Sequence, residues 1–379
     1  MRIEQKKWTE AGGWTPGPLG ALGESAQLVF IFGATPVLRE KRLVEEVRRT
    51  YAGAHILGCS TAGEICGTQV SDDSLVATAV SFEHTRLNGA QVKLDQVENS
   101  YQAGQYLAQS LDPDGLAHVL VFSDGLAVNG SDLVRGLTRH LPEGVTVTGG
   151  LAGDGARFEE TFVFWDGAPQ GGAISALGLY GSRLRVGYGS LGGWDPFGPE
   201  RLITRSQGNV LYEMDGHSAL ELYKKYLGEH ASGLPATGLL FPLSIRTSAR
   251  AAGVVRTILS VNEDEQSMTF AGDVPEGTYA RLMKANFDRL IDGAIGAAKT
   301  SHQALGSASP DLAILISCVG RKLVLKQRVE EEVEGVRDIL GSRTVLAGFY
   351  SYGEISPFMP DAQCELHNQT MTITTFLEE

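Results

Sequence analysis

Two short segments near opposite ends of the chain place a carboxylate directly after a glycine turn. One is Gly58-Cys59-Ser60-Thr61-Ala62-Gly63-Glu64-Ile65 and the other is Gly348-Phe349-Tyr350-Ser351-Tyr352-Gly353-Glu354-Ile355. A looser third version, Ala152-Gly153-Asp154, follows a further apolar run. Carboxylates suit the ammonium group of a small ligand, and the N–H groups of glycine turns suit its carboxylate. The pattern therefore favours an amino-acid-like ligand over a phosphate.

The same turns also have a purely structural interpretation. Glycine forms turns, and an acid that follows it often caps the next helix. Asp124 at a strand end and Trp194 in a glycine-rich link have the same two interpretations, which the sequence leaves open. The candidate ligand-binding residues are Ser60, Thr61, Gly63, Glu64, Asp124, Gly153, Asp154, Trp194, Ser351, Tyr352, Gly353 and Glu354.

Each of the three turns lies at the end of one copy of a repeated unit. A shift of 90 residues places 28–64 over 118–154 without a gap, with seven identities where chance gives roughly two. Each copy reads as an apolar strand, an amphipathic helix, a second apolar strand and the turn, and a third copy begins at Leu312. Ligands of α/β folds bind where strand ends converge on a crevice. The repeats therefore predict one cleft that carries Glu64, Asp154 and Glu354.

The predicted fold class is α/β, with repeated βαβ units, additional antiparallel strands and two lobes that share a cleft. We expect a flexible lead-in over 1–24, an N-terminal lobe over 25–200 and a C-terminal lobe over 201–379. Asn129 or Ser131 is a plausible N-cap, and Ser218 with Glu221 forms a capping box before another helix. A long helical segment is also predicted over 279–305.

Composition narrows the classes of partner. The net charge is −13 with no run of Lys and Arg, which argues against nucleic acid and anionic membrane surfaces as partners. The longest apolar runs are far too short to insert into a membrane. The four cysteines include no Cys-x-x-Cys pair, which favours a reducing cytoplasm.

Enzymatic interpretations have little support in the sequence. It contains no Gly-x-Ser-x-Gly elbow and no phosphate-binding Walker loop. Cys59 as a nucleophile, or Glu64 with Glu354 as an acid–base pair, would make the same cleft a hydrolase or transferase site. That alternative ranks below ligand binding.

Motifs along the chain resemble the FIST sensory domain family, in its form with N-terminal and C-terminal parts. The motifs are Gly58-Cys59-Ser60-Thr61-Ala62-Gly63-Glu64, Thr161-Phe162-Val163-Phe164, Gly193-Trp194-x-Pro196-x-Gly198, Gly208-Asn209-Val210-Leu211-Tyr212-Glu213-Met214-Asp215-Gly216, Gly272-Asp273-Val274-Pro275-Glu276-Gly277 and Gly353-Glu354-Ile355. The resemblance implies an intracellular receptor for a small ligand, with amino acids as proposed ligands. Its output is expected to act in trans on a signalling protein.

The same resemblance implies an alternative, because some stand-alone members look like haem-based nitric-oxide sensors that control a histidine kinase. Haem needs an axial ligand, and His217 in a family-like stretch is the candidate. The family pattern has a histidine before Gly193-Trp194, where this chain reads Ser190-Leu191-Gly192. The leading hypothesis is therefore binding of a small polar metabolite, and a haem-dependent gas sensor is the second.

Overall fold

The computed structural model describes residues 1–246, 253–358 and 362–379. It contains three copies of one unit, and the predicted α/β class is confirmed. Each unit has a leading strand, two parallel strands joined by a helix, a short strand after the glycine turn, and a returning antiparallel strand.

The first repeat occupies the first 81 residues. Its parallel strands are wholly apolar or small along most of their length, as expected for strands that are covered on both faces. Its elements are β1 (Arg2–Thr9), β2 (Gly13–Thr15), β3 (Leu28–Ala34), α1 (Thr35–Arg39), α2 (Arg42–Thr50), β4 (His55–Thr61), β5 (Glu64–Cys66), β6 (Gln69–Ser71) and β7 (Ser74–Ser81).

The second repeat adds a helix after its leading strand. Asn129 caps its second helix, as predicted, because its side-chain oxygen accepts hydrogen bonds from the N–H groups of Ser131 and Asp132. Its elements are β8 (Arg86–Lys93), α3 (Ser100–Ser110), β9 (Leu116–Ser123), α4 (Gly130–His140), β10 (Thr146–Leu151), β11 (Val163–Trp165) and β12 (Ala173–Tyr180).

A mainly antiparallel insertion follows β13 (Leu184–Leu191), the leading strand of the third repeat. The Ser218 hydroxyl accepts from the N–H of Glu221 and caps the helix there, as predicted. The insertion contains β14 (Trp194–Gln207), β15 (Val210–Met214), β16 (His217–Ser218), α5 (Ala219–Leu227), β17 (Leu243–Arg246), β18 (Val254–Arg256), β19 (Ile258–Asn262), β20 (Ser267–Phe270) and β21 (Tyr279–Ala285).

The third repeat resumes with a long helix. The predicted helix over 279–305 is wrong in its first part, because β21 pairs with both β14 and β17 and buries alternate residues such as Ala280 and Leu282. The elements are α6 (Phe287–Ala304), β22 (Leu312–Cys318), α7 (Val319–Leu325), α8 (Val329–Leu340), β23 (Val345–Ser351), β24 (Gly353–Pro357), β25 (Cys364–His367) and β26 (Met371–Glu378).

The repeats exchange strands in a closed cycle. After its glycine turn, each repeat sends a short strand to the sheet of another repeat: β5 pairs with β23, β24 pairs with β10, and β11 pairs with β4. The three sheets consequently share one order, which is exchanged strand, second parallel strand, first parallel strand, returning strand and leading strand. The exchange places all three turns where the sheets meet.

An apolar core shared by the three sheets fills the interior. Phe32 of β3, Phe122 of β9 and Phe349 of β23 are fully buried in it, with ring centroids 4.9 to 5.6 Å apart. Because side chains occupy this space, binding sites must lie at strand ends and between elements. No helix in the described ranges is long and apolar enough to cross a membrane.

Candidate functional site

The structure brings the three glycine turns into contact with one another. Main-chain hydrogen bonds join each pair of repeats at the turns, among them Gly153 N to Ser60 O at 3.0 Å, Ala62 N to Tyr350 O at 2.7 Å, and Tyr352 N to Leu151 O at 3.1 Å. A Cβ on Gly153 would lie 2.8 Å from the nitrogen of Ala62, which is closer than a Cβ atom can approach a main-chain nitrogen without displacing it. Glycine at this position therefore allows the first and second turns to meet.

Glu64 follows the first turn and is held by hydroxyl groups. Thr61 Oγ1 donates to Glu64 Oε1, and both the N–H and the hydroxyl of Ser74 donate to Oε2, at 3.1 and 2.6 Å. Burial raises the pKa of this carboxyl to about 7, although the Ser74 and Thr61 hydrogen bonds and the charge of Lys322 oppose the shift. Glu64 can therefore change its protonation state near neutral pH.

Glu354 follows the third turn and has the same set of partners. Ser351 Oγ donates to Glu354 Oε1 at 2.6 Å, and the N–H and hydroxyl of Thr370 donate to Oε2 at 3.1 and 3.0 Å. Burial raises the pKa of Glu354 to about 8, against the Ser351 and Thr370 hydrogen bonds and the charge of Arg321. The first and third repeats thus each contain a buried carboxyl group that accepts hydrogen bonds from the same kinds of donor.

The second repeat departs from this pattern. Leu151 stands where the other repeats have a hydroxyl, and Asp154 instead forms an ion pair with Arg157 at 2.5 Å. Asp124 ties the returning strand to the turn region, because its Oδ2 accepts from the hydroxyl of Thr161 at 2.8 Å and from the N–H of Gly172 at 3.2 Å. Asp154 therefore differs in its surroundings from Glu64 and Glu354, although all three acids were predicted for one cleft.

A cleft of about 560 Å³ opens beside the first turn, at the ends of β3, β4 and β22. All three repeats contribute to its walls, and it contains three acidic and three basic side chains. Its charged residues are Glu64, Asp72, Asp73, Arg157, Lys322 and Lys326. The predicted residues Thr61, Gly63 and Glu64 line it, whereas Gly153, Asp154 and Glu354 are not among its lining residues.

Lys322 of α7 spans the cleft toward the first turn. Its Nζ donates to the carbonyl oxygen of Ala62 at 2.9 Å and forms an ion pair with Asp72. Gly63 has a φ of +138°, and a Cβ there would lie 2.5 Å from Lys322 Nζ. The glycine therefore makes room for the ammonium group beside Glu64.

Several other predicted residues serve the architecture. Ser60 Oγ donates to Gly153 O at 2.8 Å, and Tyr352 stacks on Phe158 with centroids 4.3 Å apart. Trp194 is 5% exposed, donates to the carbonyl oxygen of Gln369, and lines a separate cavity of about 570 Å³. These positions lie outside the cleft lining, as do those of Asp124, Ser351 and Gly353.

Residues proposed for other chemistries are also placed apart from the cleft. His217 is exposed on β16, opposite Met214, and lines neither the cleft beside Glu64 nor the cavity that contains Trp194. Cys59 is fully buried in β4, and burial raises the pKa of its thiol. A buried, protonated thiol is poorly suited to nucleophilic attack.

The sequence analysis missed five charged residues of the cleft, namely Asp72, Asp73, Arg157, Lys322 and Lys326. Two of these five residues could have been identified from the sequence. Arg157 lies three residues after Asp154, and Lys322 lies in the first turn after β22, at the strand end where α/β sites form. The acids of the β6–β7 turn had no such signal, because only the exchange of β5 carries them to this edge.

Three strand-exchanged βαβ repeats and a charged cleft of ligand size define an α/β protein with a candidate small-molecule site. The FIST N domain model matches residues 27–217, and the FIST C domain model matches residues 219–357. The chain therefore belongs to the FIST family, whose domains are generally sensory and ligand-binding.

Two similar proteins do not indicate an activity for this chain. An uncharacterized protein of Methanocaldococcus jannaschii is 23% identical over 361 residues, which cover 88% of this chain and 66% of the relative. The chain thus spans just under two thirds of that relative's length. A solved structure of cyanuric acid hydrolase from A. caulinodans aligns with 100% of this chain and 99% of its own, with a TM-score of 0.36 and 9% identity. Similarity at this level does not indicate a shared activity.

Proposed function

We propose that the cleft beside Glu64 binds a small zwitterionic metabolite, with an amino acid as the preferred class. The observation that carries this proposal is the balance of charges on the cleft walls. Three acids (Glu64, Asp72 and Asp73) face the same space as three bases (Arg157, Lys322 and Lys326), so the formal charges sum to zero when Glu64 is ionised. A ligand with one ammonium and one carboxylate group preserves this balance, whereas a phosphate dianion would add two uncompensated charges.

The two ends of such a ligand have distinct partners. The ionised Glu64 carboxyl is the natural partner for the ammonium group, because it is buried and already oriented by Thr61 and Ser74. Lys322 and Arg157 provide cations for the ligand carboxylate. Lys322 would exchange its ion pair with Asp72 for the ligand, so binding would free the β6–β7 turn from α7.

The proposal includes a cytoplasmic receptor that signals in trans to another protein, such as a histidine kinase. Free Cys59, Cys66, Cys318 and Cys364 are consistent with a reducing compartment. The rearrangement of Lys322 and the β6–β7 turn would change the protein surface there, and a partner protein could recognise that change.

Isothermal titration calorimetry with individual protein amino acids tests the binding step. We expect saturable binding of at least one amino acid, weakened at least tenfold by Glu64→Gln and by Lys322→Gln, because each variant removes one charge-assisted contact. Lys299→Gln, on the exposed face of α6, is the control and should bind normally. Absence of binding for every amino acid, or unchanged affinity in Glu64→Gln, would overturn the proposal.

Absorption spectroscopy tests the haem alternative on the same preparation. Protein purified from iron-supplemented cells should show no Soret band if the cleft proposal is right. A stoichiometric Soret band that shifts in His217→Ala would instead favour the haem sensor.

A further inference from the structure

A separate cavity of about 330 Å³ lies between α4, the 272–278 turn and β25. It shares no lining residue with the cleft beside Glu64. Its polar walls include Ser131, Arg135, Thr138, Arg256, Asp273 and Glu365. The FIST-like motif that begins Gly272-Asp273 therefore forms part of a cavity for which the proposed function has no use.

Arg256 is a buried guanidinium that forms an ion pair with no carboxylate within residues 1–246, 253–358 and 362–379. It is 8% exposed, and its Nε and Nη1 donate only to main-chain carbonyl oxygens, those of Asp273 at 3.0 Å and Leu366 at 2.9 Å, with a longer contact to Val255. Its Nη2 donates to no acceptor among the described residues. The cavity thus has in its wall a buried cation with unused hydrogen-bond donors.

The fully buried Arg321 provides the contrast. Arg321 is paired with the carboxylate of Glu332, which accepts from its Nη2 at 2.7 Å and from its Nε at 3.1 Å. An unpaired buried charge costs free energy. In keeping with this, burial lowers the pKa of Arg256 to about 10, even though the charges of Glu365 and Asp273 oppose the shift.

Hydrogen bonds hold the residues around Arg256 in place. Asp273 is held by Arg135 Nη1 at 3.1 Å, and its N–H donates to Ser131 Oγ at 3.2 Å. A Cβ on Gly272 would lie 2.8 Å from Ser131 Oγ and 3.1 Å from Arg256 Nε. Glycine in this motif therefore lets the turn close over the arginine.

We propose that this cavity is an anion site that binds the carboxylate group of a small molecule at Arg256. The free N–H donors of Nη2 on this cationic side chain suit a carboxylate oxygen in charge and in hydrogen bonding. Asp273 and Glu365 in the same walls favour a monoanion over a phosphate dianion, which would meet two like charges. Arg246 also lines the cavity but is paired with Glu200, so Arg256 is the residue that determines binding.

Acetate is the minimal probe, and saturation-transfer difference NMR on its methyl group measures binding at an ionic strength fixed with sodium chloride. Arg256→Met removes the cation. This variant also removes three hydrogen bonds and could unfold the region. A second variant, Thr138→Trp, therefore fills the cavity from the exposed side of α4 without changing a charge. Arg139→Trp, the next residue on that helix and outside the lining, is the matched control.

We expect saturable acetate binding that weakens at least tenfold in Thr138→Trp and in any folded Arg256→Met, and that persists in Arg139→Trp. Glu64→Gln should leave it unchanged, which separates this site from the cleft. The proposal is overturned by the absence of a saturable signal, by retention of binding in Thr138→Trp, or by inorganic phosphate displacing acetate with higher affinity than acetate itself.

Discussion

Glu64 and Glu354 occupy equivalent positions in the first and third repeats, 290 residues apart in sequence and bound by the same kinds of donor. Each accepts from a hydroxyl three residues earlier and from the first residue of the returning segment. The residue before that donor has a positive φ in both cases, +52° at Asp73 and +64° at Gln369. The similarity extends to backbone conformation, so the repeats share a local structural device as well as a topology.

The stability of the protein should fall as pH rises through the pKa values of these two carboxyls. Unfolded glutamate loses its proton near pH 4.5, whereas burial holds the pKa of Glu64 at about 7 and that of Glu354 at about 8. Between these limits the folded state binds more protons than the unfolded state, so each carboxyl contributes stability that is complete below pH 4.5 and lost as pH rises. Urea unfolding measures this effect. Between pH 5 and 9, the free energy of unfolding should fall less in Glu354→Gln than in the wild type, by on the order of 1–3 kcal/mol.

Glu334→Gln on the exposed face of α8 is the control for that measurement. Its pH profile should follow that of the wild type. A Glu354→Gln profile parallel to the wild-type profile over the whole range would show that Glu354 does not hold its proton in the folded state.

Ligand affinity should depend on pH with the opposite sign. An ammonium group pairs with the ionised form of Glu64, and burial holds the pKa of this carboxyl at about 7. Affinity for an amino acid should therefore rise as pH increases from 6 to 8, by up to about tenfold per pH unit below the pKa. Calorimetric titrations at several pH values measure this. Glu64→Gln should remove the dependence, and an affinity that falls over this interval would contradict the assignment of the ammonium group to Glu64.

Contact between the turns should be necessary for a stable cleft. Gly153→Ala places a Cβ 2.8 Å from the nitrogen of Ala62 and must push the first two turns apart. We expect a loss of about 1–3 kcal/mol in the free energy of unfolding, typical of overpacking, together with weaker ligand binding. Gly53→Ala, with no atom within 4 Å of the added Cβ, is the matched control. Equal stability of the two variants in urea would show that the turns can separate freely.

The repeat could be read from the sequence because each copy keeps its own apolar pattern. The spacing of 90 residues between 28–64 and 118–154 identified the βαβ units and the three turns. Local side-chain patterns also located the caps at Asn129 and Ser218. These features depend on residues close together in the chain, where spacing carries the information.

Strand exchange and the detailed cleft could not be read in this way. Pairing of β5 with β23 joins residues nearly 300 positions apart, and nothing local distinguishes it from pairing within the first repeat. The exchange determines that Asp72 and Lys322 meet, and that Glu354 lies away from them. The error over 279–285 has a similar cause, since β14 and β17 impose a strand on a segment with helical composition.

A buried ion pair anchors the third repeat to the link before the insertion. Arg321 and Glu332 are both fully buried, and Arg321 also donates to the carbonyl oxygens of Gly192 at 3.0 Å and Leu290 at 2.7 Å. Glu332 accepts from the hydroxyl of Tyr350 at 2.6 Å. The pair thus connects α7 and α8 with β23, α6 and the end of the β13 segment.

Removal of one partner should destabilise the protein more than removal of both. Arg321→Met leaves a buried carboxylate without its counter-charge, and Glu332→Leu leaves a buried guanidinium, so each should cost about 3–5 kcal/mol in urea unfolding. The double variant should cost clearly less than the sum, because no uncompensated charge remains. The control is Arg328→Met, which breaks exposed ion pairs with Glu331 and Asp288 and should cost less than about 1 kcal/mol. Additive losses in the double variant would show that the two residues act separately and that the ion pair does not anchor the repeat.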